Sequence, residues 1–259
     1  MTPGRACGRA ALLGVALIAA AAATAAEPRT EIQINLCSAA TQVEAALRLD
    51  ARPRITTVWL FDSPTLELHR QGLRLRLRER GPRAELTLKV GGQDCARVDP
   101  AALGPAGKCE ADLHGDSVED VVSVDAVLTK QLRQALLPVR PVQAEPPVAA
   151  LEAALSREQR AWLASRREVA AGAPLLPSDL MRLGPSNVRS YRAPDAAFGV
   201  EVWTLPGGKQ FVELSEKVRS DSAPASRSAL LEMLARSGVS VCADQASQAR
   251  SKLEWLARR

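Results

Sequence analysis

The stretch Leu73-Arg74-Leu75-Arg76-Leu77-Arg78, followed by Gly81-Pro82 and then Glu85-Leu86-Thr87-Leu88-Lys89-Val90, is two strictly alternating runs joined by a turn. That pattern predicts two half-buried strands of one hairpin. Side chains on a strand alternate faces, so Arg74, Arg76 and Arg78 share one face at intervals of about 7 Å while the leucines share the other. A turn that sets Arg78 opposite Glu85 puts Arg76 against Thr87 and Arg74 against Lys89. An arginine opposite a lysine is destabilising unless an anion neutralises them. Guanidinium forks grip phosphate oxygens bidentately, so a row of them suits a chain of phosphates. The plainer reading of the same row is a solvated polar face on an ordinary hairpin.

Upstream, Arg5 and Arg9 precede an apolar run over 10–23 that ends in the small residues Thr24-Ala25-Ala26. This predicts a secretory signal peptide over 1–26, cleaved near Ala26, and a mature chain that is periplasmic or secreted. The apolar run is too short to span a bilayer, and no later segment approaches the roughly 18 apolar residues of a transmembrane helix. Cys7 lies before the apolar run, where it offers no lipid-anchoring site. Removing Arg5 and Arg9 takes the formal charge from +5 to +3, a mild excess with no basic block. With one Tyr and three Phe there is almost no surface for stacking bases, which argues against a nucleic-acid partner. Cys37, Cys95, Cys109 and Cys242 remain, an even number in an oxidising compartment, and predict two disulfides. Three connectivities are possible; Cys95 and Cys109 flank a loop containing Gly and Pro and can close it locally, which would leave Cys37 with Cys242. Zinc is disfavoured because no Cys-x-x-Cys pair occurs and His69 and His114 are isolated.

Around the hairpin, Glu31 to Leu36 alternates as a strand, a short helix follows over 41–49, and 55–61 is β-branched and aromatic. Ser63 can cap a short helix with Pro64 as its first residue, ending at Gly72. A short strand covers 109–113. From Ser117 the apolar positions Val118, Val121, Val122, Val124, Leu128, Leu132 and Leu136 suggest a helix, so a helical middle segment is expected over about 117–172, with a break near Ser156. Strands resume over 188–192, 199–204 and 211–218, and helices close the chain over 225–236 and 245–256. Strands flanking a helical middle make an α+β order, read as one domain over 27–259.

The run Leu60-Phe61-Asp62-Ser63-Pro64-Thr65-Leu66-Glu67-Leu68, with Gly72-Leu73-Arg74-Leu75-Arg76-Leu77-Arg78 and Glu85-Leu86-Thr87-Leu88-Lys89, resembles the CYTH superfamily, the triphosphate tunnel metalloenzymes. Ser251-Lys252 resembles a Ser-Lys pair of the same family. The likeness covers about 30 residues closely and implies an eight-stranded antiparallel barrel with flanking helices. A polar row can face the interior of such a barrel. The resemblance further implies a triphosphate or polyphosphate ligand, Mg²⁺ or Mn²⁺ as cofactor, phosphate contact by Arg74, Arg76, Arg78, Lys89, Arg189 and Lys252, and metal held by Glu31, Glu110, Asp112, Glu201 and Glu213. Departures from the family pattern cut against catalysis. The opening Glu-x-Glu-x-Lys is Glu31-x-Gln33-x-Asn35 here, and the last strand reads Glu213-x-Ser215. A metal-dependent triphosphatase and a non-catalytic anion- or partner-binding envelope module with a decayed metal site are the two functions these residues leave open.

Overall fold

In the computed structural model the hairpin has the register that the alternation predicts. Strands β3 (Leu73–Arg80) and β4 (Arg83–Val90) pair Arg78 with Glu85, Arg76 with Thr87 and Arg74 with Lys89. The structure describes residues 28–50, 52–137, 148–167, 174–193, 196–245 and 248–258; the expected signal peptide lies outside them.

Seven further strands complete the sheet: β1 (Arg29–Leu36), β2 (Arg54–Asp62), β5 (Gly107–His114), β6 (Ser117–Val127), β7 (Met181–Arg192), β8 (Gly199–Thr204) and β9 (Gln210–Arg219). They close into a barrel in the order β1-β5-β6-β4-β3-β2-β7-β8-β9. The expectation of eight antiparallel strands is therefore corrected to nine, with one parallel pair. The two corrections are one fact: strand directions cannot alternate all the way round a closed ring with an odd number of members. Here the parallel junction is β1 with β5, which aligns Glu31 with Asp112.

The second correction concerns 117–127, expected as the start of a helix and observed as β6. Val121, Val122, Ser123 and Val124 are all buried, so both faces of the strand are covered and the period-two signal is lost. The helices of the middle segment begin later, with α4 (Lys130–Leu136), α5 (Val148–Ala154) and α6 (Arg157–Arg166). The predicted break falls at Ser156, whose side chain and that of Gln159 form a capping box at the start of α6.

The barrel is polar inside and apolar outside. Leu73, Leu75 and Leu77, opposite the arginines, pack with Leu86, Leu88, Leu136, Leu151 and Leu163, so the main core lies between the barrel wall and α4 to α6. Gln159 pins this layer: fully buried, it donates from Nε2 to the carbonyls of Leu86 on β4 (2.9 Å) and Val124 on β6 (2.8 Å). A second core packs α1 (Ala40–Ala46) and α7 (Ala223–Arg236) on β1, β8 and β9, through Ile32, Ile34, Val43, Val200, Leu214 and Leu234.

The link between β2 and β3 departs from the expected cap. The short helix is α2 (Glu67–Arg70), and the buried Asp62 carboxylate, not Ser63 alone, organises it by accepting the N–H groups of Ser63 (2.8 Å), Leu68 (2.9 Å) and His69 (3.0 Å). Ser63 Oγ takes the Glu67 N–H at 3.0 Å. Both disulfides form, Cys95–Cys109 across the loop carrying α3 (Pro100–Leu103) and Cys37–Cys242 tying the end of β1 to the chain after α7. They fit an oxidising environment. No helix among the described residues is long and apolar enough to cross a membrane.

Candidate functional site: the barrel lumen

Because β3 must present its leucines to the helices, its arginines have nowhere to go but the lumen. A cavity of about 280 Å³ lies there, lined by Arg74, Arg76, Arg78 and Lys89 of the hairpin, by Glu31, Glu201 and Glu213, and by Lys252 from α8 (Gln248–Ala257). Helix α8 packs Leu253 and Leu256 against Val58, Leu183, Val188 and Trp203, and Lys252 stacks on the Trp203 ring at 4.0 Å from its centroid. A second cavity of about 600 Å³ adjoins the first, sharing Glu31, Glu201, Ser215 and Lys217, with Arg54, Arg80 and Arg192 around it.

The cations differ in what they meet. Arg78 donates to Glu85 (3.1 Å) and Thr87 (3.3 Å), and Thr87 in turn donates to Asp125 (2.6 Å). The pairing of Arg74 with Lys89 demands an anion, and the chain itself supplies one: the Asp112 carboxylate of β5 lies 3.4 Å from Lys89 Nζ and 4.0 Å from Arg74. Arg76 has no such neighbour. It forms no ion pair at 4.0 Å or less among the described residues, and its Nε is buried without a hydrogen-bond partner. Its pKa is lowered to about 10, chiefly by burial and then by Arg78, against the pull of the more distant Glu201 and Asp125. Burial likewise lowers the Lys89 and Lys252 ammonium groups, each partly offset by a carboxylate, Asp112 for the first and Glu213 for the second.

Arg189 does not belong to this group. It points away from the lumen, pairing with Glu44 of α1 at 3.1 Å and lying over the Tyr191 ring, whereas its neighbour Ser190 donates inward to Glu201. Arg189 was expected to contact phosphate, and the structure places it outside both cavities, whereas Ser190 and Arg192 line the second one.

The five carboxylates expected to hold metal are dispersed. Glu110 and Asp112 do face inward on β5, yet Glu110 Oε2 accepts from both Lys108 and Lys217, the latter at 2.7 Å, and Asp112 is engaged by Lys89 and Arg74. Glu31 lies 3.7 Å from Lys217. Glu201 accepts from Trp203 Nε1 at 3.0 Å. Glu213, opposite Glu201 in the β8–β9 register, has its pKa raised by burial, and the charges of Glu201 and Glu31 add to this against Lys252. Among the described residues no three acids, histidines or cysteines converge on a point where they could hold a metal ion. A hard divalent cation needs oxygen ligands free to approach within about 2.0–2.6 Å. The carboxylates of β1 and β5 are instead occupied by ammonium groups, so the donor set does not fit Mg²⁺ or Mn²⁺. Burial works against the charged form of Lys217, but Glu31 and then Glu110 outweigh it and raise its pKa. His114, whose ring nitrogens are buried without partners, has its pKa lowered to about 4 and is neutral.

Sequence reasoning missed Lys108, Lys217, Asp125 and Trp203 as lumen residues. Alternation would have found the two lysines: Lys108 stands two before Glu110 on β5, and Lys217 two beyond Ser215 on β9.

Solved structures resemble the chain along most of its length, among them two with a TM-score above 0.5. HpAC1 of Hippeastrum, described as a candidate adenylyl cyclase with a dominant triphosphatase activity, superposes with a TM-score of 0.53 at 18% identity, covering 87% of this chain and 95% of that one. A protein of Bacillus halodurans, described as a candidate adenylate cyclase, gives 0.51 at 16% identity, with coverage of 86% and 97%. The chain shares their fold. No protein-family profile and no curated sequence matches it.

Proposed function

We propose that this chain is an exported member of the CYTH superfamily that captures a triphosphate or longer phosphate chain in its barrel lumen. The observation that carries the reading is Arg76, a guanidinium in the cavity that forms no ion pair at 4.0 Å or less among the described residues. A buried cation without a counter-charge costs folding energy, and such a cost is sustained where a ligand supplies the missing charge. Arg74 and Arg78 flank it on the same strand face, so three guanidinium groups line the space that a short phosphate chain would occupy. Lys89 and Lys252 stand ready on adjacent elements. The cavity of about 280 Å³ lies at the small end of ligand pockets, which run from roughly 300 to 1,000 Å³, and suits a short phosphate chain better than a bulky organic anion.

Binding without turnover is the reading the carboxylates favour, since Glu31, Glu110 and Asp112 are engaged by lysines and no three acids converge among the described residues. Hydrolysis is the second reading, favoured by the fold shared with HpAC1; in it the arginines would stabilise charge developing on the transferred phosphoryl group. Calorimetric titration of the protein over 27–259 with tripolyphosphate, with released phosphate assayed in the same samples, tests both. Heat of binding without phosphate release supports a receptor, release at a steady rate supports an enzyme, and no heat under any condition overturns the proposal.

A further inference from the structure

Lys217 sits where the fold brings two acidic strands together. It is directly opposite Glu31 in the β1–β9 register, its Nζ is 3.7 Å from Glu31 and 2.7 Å from Glu110, and Lys108 Nζ donates to the same Glu110 oxygen. These contacts follow from strand geometry: Lys108 and Glu110 share a face of β5, and Lys217 is held by its cross-strand partner. An ammonium carries three donors, and the two carboxylates take at most two of those of Lys217, leaving one directed to the space it lines. That space is the boundary of the two cavities, since Lys217 and Glu31 line both.

We propose that Lys217, supported by Lys108, is a built-in counter-ion that neutralises Glu31 and Glu110 in place of a divalent cation, so that the lumen takes phosphate chains in their metal-free form. This rests on the phosphate-binding reading above, and deepens it by naming the ligand as the free polyanion and not its metal complex. A tethered charge is always present, whereas a divalent cation must first be captured; binding should therefore be indifferent to chelators. A cation competing for the same oxygens must displace an ammonium that already satisfies them.

Two measurements decide this. The first is a Mn²⁺ titration with no phosphate present, reading free Mn²⁺ by electron paramagnetic resonance. The wild-type chain should bind none up to roughly 1 mM, while Lys217→Met should acquire a site that Glu110→Gln removes again. Wild-type binding of Mn²⁺ that Glu110→Gln abolishes would overturn the proposal. The second is tripolyphosphate calorimetry in chelator and in Mn²⁺. Wild-type affinity should be full in chelator and lower in Mn²⁺, which sequesters the free polyanion, and Lys217→Met should weaken it by about tenfold in chelator, with Lys217→Arg restoring it. A wild-type affinity that rises about tenfold with Mn²⁺ would overturn the counter-ion role. If tripolyphosphate binds in neither condition the functional reading fails, and the Mn²⁺ titration still judges this one.

Discussion

Replacing Arg76 with methionine should make the protein more stable and unable to bind, an unusual pair of signs that follows from its surroundings. The Arg76 pKa lowered to about 10 means that the folded state disfavours the cation. At about 1.36 kcal/mol per unit, the full shift corresponds to about 3 kcal/mol. The side chain keeps some exposure to the lumen, and screening reduces the expected gain to about 1–2 kcal/mol. For a chain of this size that raises Tm by about 2–8 °C. The sign is fixed by linkage: the penalty on the charged form is present at neutral pH and lifts only as pH rises through about 10, so the advantage of Arg76→Met should persist across the range where the protein is handled. Binding should move the other way. Losing one partner of a desolvated charge pair costs about 2–5 kcal/mol, which weakens tripolyphosphate by at least about thirtyfold. Thermal denaturation and calorimetry on the same two proteins read both effects. A lower Tm for Arg76→Met in ligand-free buffer, or an unchanged affinity, would refute the reasoning, because either would mean that Arg76 is satisfied within the chain.

Three further outcomes are expected. Gln159→Ala removes the donor that serves two buried carbonyls and half of the capping box at Ser156, and should cost about 2–4 kcal/mol in urea denaturation, whereas an exposed position on the same helix, such as Ser165, should cost almost nothing on alanine substitution. Replacing Cys37 and Cys242 by serine opens a loop of 205 residues and should lower stability by about 5 kcal/mol, against about 3 kcal/mol for Cys95 and Cys109, which span 14; equal losses would show that loop closure is not the source. Glu213→Gln should raise Tm at neutral pH. Burial and two neighbouring carboxylates raise the Glu213 pKa, so ionisation costs the folded state above that value; the gap to wild type should narrow as pH falls through it and vanish below about 4.5, the ordinary glutamate range.

The hairpin was fully legible because one face of each strand meets apolar helices and the other a polar lumen, so alternation survives in the residues themselves. The register followed from the turn. For β6 the same logic failed: four consecutive buried residues, Val121, Val122, Ser123 and Val124, erase the alternation, and their valines mimic one side of a helix. The first half of β7 was also invisible, since Gly184 and Pro185 interrupt any strand pattern. The shape of the barrel could not be read from strand signals alone, because the ninth strand and the parallel β1–β5 junction are properties of closure, which no local segment records.

For the site, alternation told which residues share a face but not which anion each cation would meet. The Arg74 and Lys89 pairing pointed to a neutralising anion, and a ligand was one candidate; the chain answers with Asp112, brought beside them from β5 across β6 by the way the sheet curls. What that leaves unpaired is Arg76, whose cross-strand neighbour is the uncharged Thr87. The cation that calls for a ligand is therefore Arg76, one inward-facing position along the strand from Arg74. A row of three arginines on a strand is compatible with a solvated surface, but a half-buried arginine in a cavity with no ion pair among the described residues, and with Nε buried without a partner, has no such explanation. The same accounting separates the lumen: on β1 and β5 the acids are balanced by Lys217, Lys108, Lys89 and Arg74, on β8 and β9 Glu201 and Glu213 face each other with Lys252 acting on Glu213, and on β3 a positive charge is left over. A metal-dependent tunnel would need at least three acids converging to hold the cation, and the described residues bring no such group together, the two acids of β8 and β9 standing apart from those that the lysines of β5 and β9 engage; it is this distribution of charge, more than the identity of any one residue, that favours a receptor for a free phosphate chain.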